Sequence, residues 1–393
     1  MKSKLEELIE NLCPNGVEYR KLGLYCKILK GKQLNKEKLL ENGKYPAYNG
    51  GVIHSGFTND YNVKENTTII SQGGASAGFV QFIETKFWAN AHCYYLEPDT
   101  NILNNKYVYY FVKQNQDKLM KCQYGAGIPA LKSDEIFNLL ISLPPLEIQE
   151  EIVRILDKFT ELTTELTTEL TLRKLQYEYY RDKLLNFGNE VEWKKIKEIA
   201  LKVTSGGTPK TEKIEYWENG TIPWMSSGEV NLETIFKTEK YITELGLNNS
   251  SAKLIPKNSI VVALAGQGKT RGKVARIRID LSTNQSLAAI IVDENKINPD
   301  YIFYFLKTQY QTLRQISSGN GTRGGLNLQM IANYSIPVPS LEEQKRIVEI
   351  LDRFDKYIND IKEGLPAEIE MRQKQYEYYR DKLLNFKKLN VEG

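Results

Sequence analysis

The segment QYEYYRDKLLNF occupies Gln176–Phe187 and recurs unchanged at Gln375–Phe386. A chain that spells twelve residues twice is built from two copies of one unit, and this repeat limits the possible folds more than any other feature. Upstream, Pro144–Phe159 (PPLEIQEEIVRILDKF) keeps step with Pro339–Phe354 (PSLEEQKRIVEILDRF) at a separation of 195 residues, which becomes 199 by the end of the repeat. A net four residues have therefore been gained or lost within the repeated stretch.

Both stretches read as helices. Ile148, Ile152, Ile155, Leu156, Phe159, Leu162, Leu166 and Leu170 recur at three- and four-residue steps. Pro144 and Pro145 block helix before the first copy, and Gly188 is expected to end it. Within this helix Glu161–Thr171 is a tetrad array, ELTTELTTELT; the second copy instead carries Gly364-Leu365-Pro366, which predicts a kink or break near Glu363. Helices of roughly 40–45 residues would each be about 60–65 Å long. Neither buries its apolar stripe alone, and the simplest partner is the other copy, in an antiparallel coiled coil.

The regions before the helices correspond more loosely. Val17–Leu22 matches Val191–Ile196, Asn90 matches Asn284, Lys106–Phe111 matches Asp300–Phe305, and Gly125–Gly127 matches Gly319–Gly321. Short apolar runs such as Thr68–Ile70 and Ser259–Ala263 read as strands, and Lys106–Lys121 and Asp300–Ile316 as late aromatic helices. The expected fold class is α+β. Two mixed α/β domains related by a pseudo-two-fold axis occupy residues 1–143 and 188–337, helical spacers 144–187 and 338–387, and a tail 388–393. Near-identical helices meet the same thing twice; diverged heads meet different things.

Composition narrows the function. The chain of 393 residues is 41% apolar and 26% charged, the balance of a soluble globular protein. Its N-terminus, MKSKLEELIENL, is acidic and amphipathic, unlike a signal peptide, so a cytoplasmic location is expected. Cys13, Cys26, Cys93 and Cys122 are scattered without a CxxC pair, which argues against zinc. The two histidines, His54 and His92, both lie in the first half, so no duplicated activity depends on histidine. A net charge of +4 is only mildly basic, and the 24 tyrosines are expected to serve packing before base stacking.

At this point the helical blocks LPPLEIQEEIVRILDKF and GLPAEIEMRQKQYEYYRDKLLNF, the ELTT array and the paired strand–glycine segments together resemble a known family. They are similar to the specificity subunits of type I restriction–modification systems, over essentially the whole chain. The resemblance implies two target recognition domains, each reading one part of a bipartite site on double-stranded DNA. It implies helices that set the spacing and dock two modification (adenine methyltransferase) subunits, to which restriction subunits add. It also implies that this chain is not an enzyme and holds no cofactor, with S-adenosylmethionine, ATP and Mg on the partner subunits. The residues agree: no [DN]-P-P-[YF] stretch is present, and Leu143-Pro144-Pro145-Leu146 lacks the polar residue before the prolines. The rival reading is a coiled-coil interaction scaffold whose heads bind proteins.

Ala263–Thr270 (ALAGQGKT) loosely fits a phosphate-binding loop, but such a loop needs a helix after it, and Arg271–Ile279 alternates like a strand. Gly-rich turns between strands are better candidates for DNA, since they let backbone approach a phosphate or base edge. The candidates are Gln72, Gly73, Ser76, Gln123 and Lys132 in the first head. In the second they are Thr208, Lys210, Gln267, Lys269, Arg271, Lys273, Arg323 and Asn327. Trp224 reads as core, and the shared position of Asn90 and Asn284 favours a structural hydrogen bond. Candidate docking residues on the repeated segments are Tyr177, Tyr180 and Arg181, with Tyr376, Tyr379 and Arg380.

One four-residue unit turns a helix by a net ~40° and lengthens it by ~6 Å, while one DNA base pair adds roughly 34–36° and ~3.4 Å. Deleting Thr164–Thr167 is therefore expected to shorten the spacer of the recognised site by one base pair, leaving both half-sites unchanged. The methylation pattern of that mutant checks this; an unaltered spacer would contradict it.

Overall fold

The computed structural model describes residues 2–125, 127–266, 270–317, 325–360 and 363–389. The chain forms two compact units: Met1–Glu169 with Ala367–Gly393, and Leu170–Pro366. Each unit thus combines a head, the start of the helix leaving it, and one copy of the repeated segment.

In unit 1 the elements run α1 (Lys4–Leu12), β1 (Tyr19–Lys21), β2 (Cys26–Lys30), β3 (Tyr45–Tyr48), β4 (Gly56–Thr58), β5 (Thr67–Ser71), β6 (Val80–Ile83), β7 (Trp88–Ala89) and β8 (Cys93–Pro98). Then come α2 (Asn105–Gln114), α3 (Gln116–Lys121), α4 (Ser133–Phe137), β9 (Leu140–Ser142) and the long α5 (Leu146–Leu184), whose end belongs to unit 2. Head 2 contains β10 (Trp193–Lys195), α6 (Ile196–Ile199), β11 (Ala200–Ser205), β12 (Ile222–Met225), β13 (Thr234–Ile235), β14 (Lys240–Ile242), α7 (Glu244–Asn248), β15 (Leu254–Ile255) and β16 (Ile260–Ala263). It continues with β17 (Val274–Ile277), β18 (Leu281–Thr283), β19 (Leu287–Val292), α8 (Pro299–Thr308), α9 (Tyr310–Ile316), α10 (Leu328–Ala332) and β20 (Ser335–Pro337), then α11 (Leu341–Asn359) and α12 (Leu365–Leu383).

The two heads share one topology. Sheet order β2-β8-β5-β6 in head 1 reappears as β11-β19-β16-β17 in head 2, where β13 adds an edge. The small sheet β4-β3-β7, with its parallel β3–β7 pair, reappears as β14-β12-β18 with a parallel β12–β18 pair and an added β15. In both heads the entering strand pairs with the leaving strand, β1 with β9 and β10 with β20. Chain entry and exit therefore sit side by side at the base of each head.

The aromatic helix of each head is its keystone. On α2, Tyr107, Val108, Tyr110, Phe111 and Val112 are buried, and on α8 every residue from Tyr301 to Leu306 is. Burying a phenol requires a hydrogen-bond partner for its hydroxyl, and each is supplied. Tyr107 meets the Ser142 hydroxyl at 2.7 Å and Tyr301 donates to the Pro337 carbonyl at 2.9 Å, tying helix to exit strand. Tyr110 donates to Asp157 and Tyr304 to Asp352, each at 2.6 Å, tying head to long helix. The cation beside that aspartate is kept by different means: Lys106 of α2 in unit 1, Arg276 of β17 in unit 2. A fully buried glutamine completes each joint. Gln149 accepts from the Asn104 N–H and donates to the carbonyls of Ile102 and Pro144; Gln344 accepts from the Asn298 N–H and donates to Pro339.

Several expectations are refined. The aromatic helices are interrupted at Asn115 and Gln309, where ψ swings to 6° and 10°. The first long helix stops at Leu184, short of Gly188. The second is broken at Asp360, as Gly364-Leu365-Pro366 predicts. Gly364 is required there, since a Cβ would lie 2.7 Å from two carbonyl oxygens. Threonine is a poor helix former, yet the ELTT array holds its helix. The hydroxyls of Thr163, Thr164, Thr167 and Thr168, and of Thr160 just before the array, each donate to the carbonyl four residues back at 2.8–3.1 Å, which satisfies the hydroxyls within the helix without strengthening it. Within each unit the helical segments pair in opposite chain senses. Phe159 stacks on Tyr379 at 5.3 Å in unit 1, and Phe354 on Tyr180 at 6.1 Å in unit 2.

Replacing Gln344 by Leu would leave the Asn298 N–H and the Pro339 carbonyl without their partner. A cost of about 2 kcal/mol is expected, read as a melting-temperature drop of roughly 4–8 °C for a unit of this size. Unchanged melting would show that the joint is not held this way.

Candidate nucleic-acid interface

In head 1 the strand ends of the main sheet bring three loops together. Gly73 forms a bridge with Ala130, as does Tyr124, and Gly74 N–H donates to the Pro129 carbonyl at 2.9 Å. The Gln123 side-chain amide donates to the Ala77 carbonyl at 2.7 Å, and Leu131 N–H to the Gln72 carbonyl at 2.8 Å. Gln72, Gly73, Ser76, Gln123 and Lys132 thus belong to one patch. The third loop was not singled out in the sequence. Residues 49–55 join the patch through Ser76, whose hydroxyl donates to the Gly50 carbonyl at 2.7 Å, and are held to the main sheet by the Gln81 amide, which donates to the Gly51 carbonyl at 3.3 Å.

This arrangement divides the candidates. Ser76 and Gln123 spend their side chains on the loops' own backbone, so they shape the patch. Its outward groups are Tyr124 (48% exposed), Ile128 (79%) and Lys132, whose ammonium lies 5.1 Å from the Tyr124 ring centre. A glycine-rich rim carrying one aromatic ring and one cation can stack on a base or meet a phosphate.

In head 2 the matching strand ends converge in the same way, with Leu326 N–H donating to the Leu264 carbonyl at 3.1 Å. Gln267, Lys269 and Arg323 lie outside the described residues. Thr208 and Lys210 are exposed on a second loop, where the Thr208 hydroxyl donates to Gln285 at 2.7 Å. Asn327 caps α10 by accepting from the Met330 N–H at 2.9 Å, and so serves the fold. The Arg271 N–H donates to the Gly266 carbonyl in the turn before β17, and a strand follows this turn where a phosphate-binding loop needs a helix. Trp224 is core, its indole donating to the Gly207 carbonyl at 3.0 Å. Asn90 accepts from the N–H groups of Leu34 and Ala91, and Asn284 from that of Ser286, which makes both turn anchors.

Lys273 donates to Asn231 at 2.7 Å and lines a cavity of about 240 Å³ with Arg181, Lys307, Glu233 and Tyr310. Lys307 pairs with Glu233 at 2.5 Å, leaving an excess of cations at its mouth. Unit 1 brings two cations together as well, Lys113 and Arg380, with Asp117 near Lys113. Burial and the neighbouring Arg380 guanidinium pull Lys113 below its usual range.

The repeated segments face two ways. Tyr177 is buried against Phe354 and within the unit 2 core, and Tyr376 packs on the unit 1 core beside Tyr110. Both hold their own unit together, so neither ring is offered outward. Tyr180 and Tyr379 are half-covered by the stacks on Phe354 and Phe159. Arg181 and Arg380 bond to the neighbouring Asp182 and Asp381. The most exposed tyrosines of the repeated segments are Tyr179 and Tyr378, each 62% exposed. The signal for them was the helical step alone, which sets residues two apart on opposite faces.

The described residues contain no cluster of His, Cys, Asp and Glu able to hold a metal, and no described helix is long and apolar enough to cross a membrane. Burial pushes the Cys26 thiol up to about 12 and Cys93 to about 11, far from a reactive thiolate.

A family description, type I restriction modification DNA specificity domain, matches residues 14–174 and again 189–371. The EcoR124I/EcoR124II specificity subunit of Escherichia coli is 47% identical over 248 residues, covering 62% of this chain and 60% of that relative. A putative type I restriction enzyme specificity subunit of Haemophilus influenzae is 31% identical over 395 residues, covering 97% of this chain and 98% of its own. Among solved structures, the S subunit of a type I restriction–modification system from M. genitalium has the same fold. It superposes with a TM-score of 0.62 at 20% identity, over 94% of this chain and 96% of that one. With two matched domains spanning most of its length, the chain belongs to the type I restriction–modification specificity subunit family.

Proposed function

We propose that this specificity subunit reads a bipartite site on double-stranded DNA, one head on each half, without chemistry of its own. The observation that carries the reading is the contrast between the heads: one topology, with different side chains in the corresponding loop sequences around shared glycines. A shared scaffold with exchanged loop chemistry is what reading two different sequences on one polymer requires. Lys132 in head 1 and Lys210 in head 2 are exposed and suited to phosphates, while loop side chains discriminate bases. The repeated helical segments dock two methyltransferase subunits, which flip and methylate an adenine in each half-site. S-adenosylmethionine, ATP and Mg belong to the methyltransferase and restriction subunits. A charge of +4 suits a subunit whose partners supply part of the phosphate clamp.

Co-expression with the modification subunit, followed by single-molecule sequencing of the host genome, tests this directly by yielding methylated adenines in a split motif. Combining Tyr124→Ala with Lys132→Ala is expected to cost about 1–3 kcal/mol of binding, to relax one half of that motif only, and to leave the other half and the spacer unchanged. Relaxation in both halves, or in neither, would contradict the assignment of head 1 to one half-site.

A further inference from the structure

The two units part company at a place where their sequences still correspond. In unit 1, α1 lies against the start of α5 and the end of α12. Lys4 pairs with Glu151 at 3.2 Å, while Glu6, held below the usual carboxylate range mainly by the Ser3 N–H and hydroxyl, also feels Lys382. Leu5 is buried there, and Leu8 and Ile9 pack on the same core, the three- and four-residue spacing of an amphipathic helix. Alongside it, Ile148 and Glu151 are 0% and 3% exposed.

The counterparts of Ile148 and Glu151 in unit 2 are Glu343 and Arg346, with side chains 36% and 54% exposed. They line an open groove of about 700 Å³ whose floor includes Tyr180, Leu184, Ile350 and Phe354. Lys183, the counterpart of Lys382, stands on its rim. The chain enters head 2 directly from α5, and among the described residues no helix of unit 2 takes the place that α1 takes in unit 1.

We propose that this groove is the seat of an acidic amphipathic helix supplied by a partner chain, the matching seat in unit 1 being filled by α1 of the chain itself. The dimensions follow from α1, nine residues with one apolar face, docked as a helix in a groove. The charge follows from the exchange beneath it. Where α1 sets Lys4 against Glu151, the groove offers Arg346, and Lys183 and Arg173 add to it, while Glu190, which also lines it, accepts from the Gly188 N–H at 2.9 Å. Glu343 is already bonded to Arg346 at 2.6 Å. The α1 of a second copy would bring Lys4 against Arg346 and fits less well. The two seats are therefore unequal, one self-occupied and one open, while the outer faces of the repeated segments, with Tyr179 and Tyr378, remain alike. The inference needs neither DNA nor methylation, so its failure would leave the DNA reading intact.

Two peptides spanning residues 2–12 test it, one native and one with Lys4→Glu, both lactam-bridged on the outward face so that helix formation does not limit binding. Titrated into the full chain by fluorescence anisotropy, the Lys4→Glu peptide is expected to bind saturably, one per chain, about tenfold tighter than the native one. Ile350→Glu is expected to abolish this binding, and Arg346→Glu to invert the preference between peptides. Should Ile350→Glu fail to fold, the inversion by Arg346→Glu, at an exposed position, decides. No saturable binding, equal affinities, or binding indifferent to both variants would overturn the proposal. Tighter binding of the native peptide would overturn it too, and would assign the groove to a second copy.

Discussion

Everything else in this molecule hangs on the joint between each head and its long helix. A head that reads a surface is useful only if its orientation survives thermal motion, and a single covalent connection does not supply that. Here the aromatic helix is bonded simultaneously to the exit strand through one tyrosine, to the long helix through a second, and to the helix start through a buried glutamine. All three links recur in unit 2. Buried polar groups are costly unless satisfied, so such a joint has one low-energy geometry. It converts a flexible tether into a bracket.

The joint also shows what the repeat preserves. Lys106 and Arg276 come from different elements, a helix and a strand, yet each delivers a cation to the same aspartate of the long helix. The position facing Lys106 in the other copy is Asp300, which itself pairs with Arg276 and Arg278. Sequence identity has been lost there while the electrostatic requirement has been kept. The outward loops obey no such requirement, and their side chains diverge freely on conserved strands.

The helices and the doubled architecture were legible because periodicity and near-identity both act over short sequence distances. Strands such as β5 and β16 were legible for the same reason. The interruptions at Asn115 and Gln309 were not, since the apolar pattern runs on across them and only the altered backbone angles reveal them. Nor was the inward turn of Tyr177 and Tyr376, because the surfaces they meet come from parts of the chain far away in sequence. The same limit hid the loop at 49–55, which reaches the patch through backbone carbonyls that any residue type could supply. Nor did the repeat show that each unit is closed by the copy of the repeated segment that lies far from its head in sequence.

The pairing of entry and exit strands at the base of each head has one more consequence. Topologically, each head is a long insertion between two points fixed a strand's width apart. The entropic cost of closing such an insertion grows only with the logarithm of its length, and the base sees the same two strand ends whatever lies beyond them. A head that keeps its aromatic helix, and with it the bonds to the exit strand and the long helix, can therefore grow, shrink or change its outer loops without disturbing the helices that carry it. The additional strands β13 and β15 of head 2 are growth of this kind. Such a chassis accepts new reading surfaces as cartridges, and its evolvability resides in four short strands at the base of the heads.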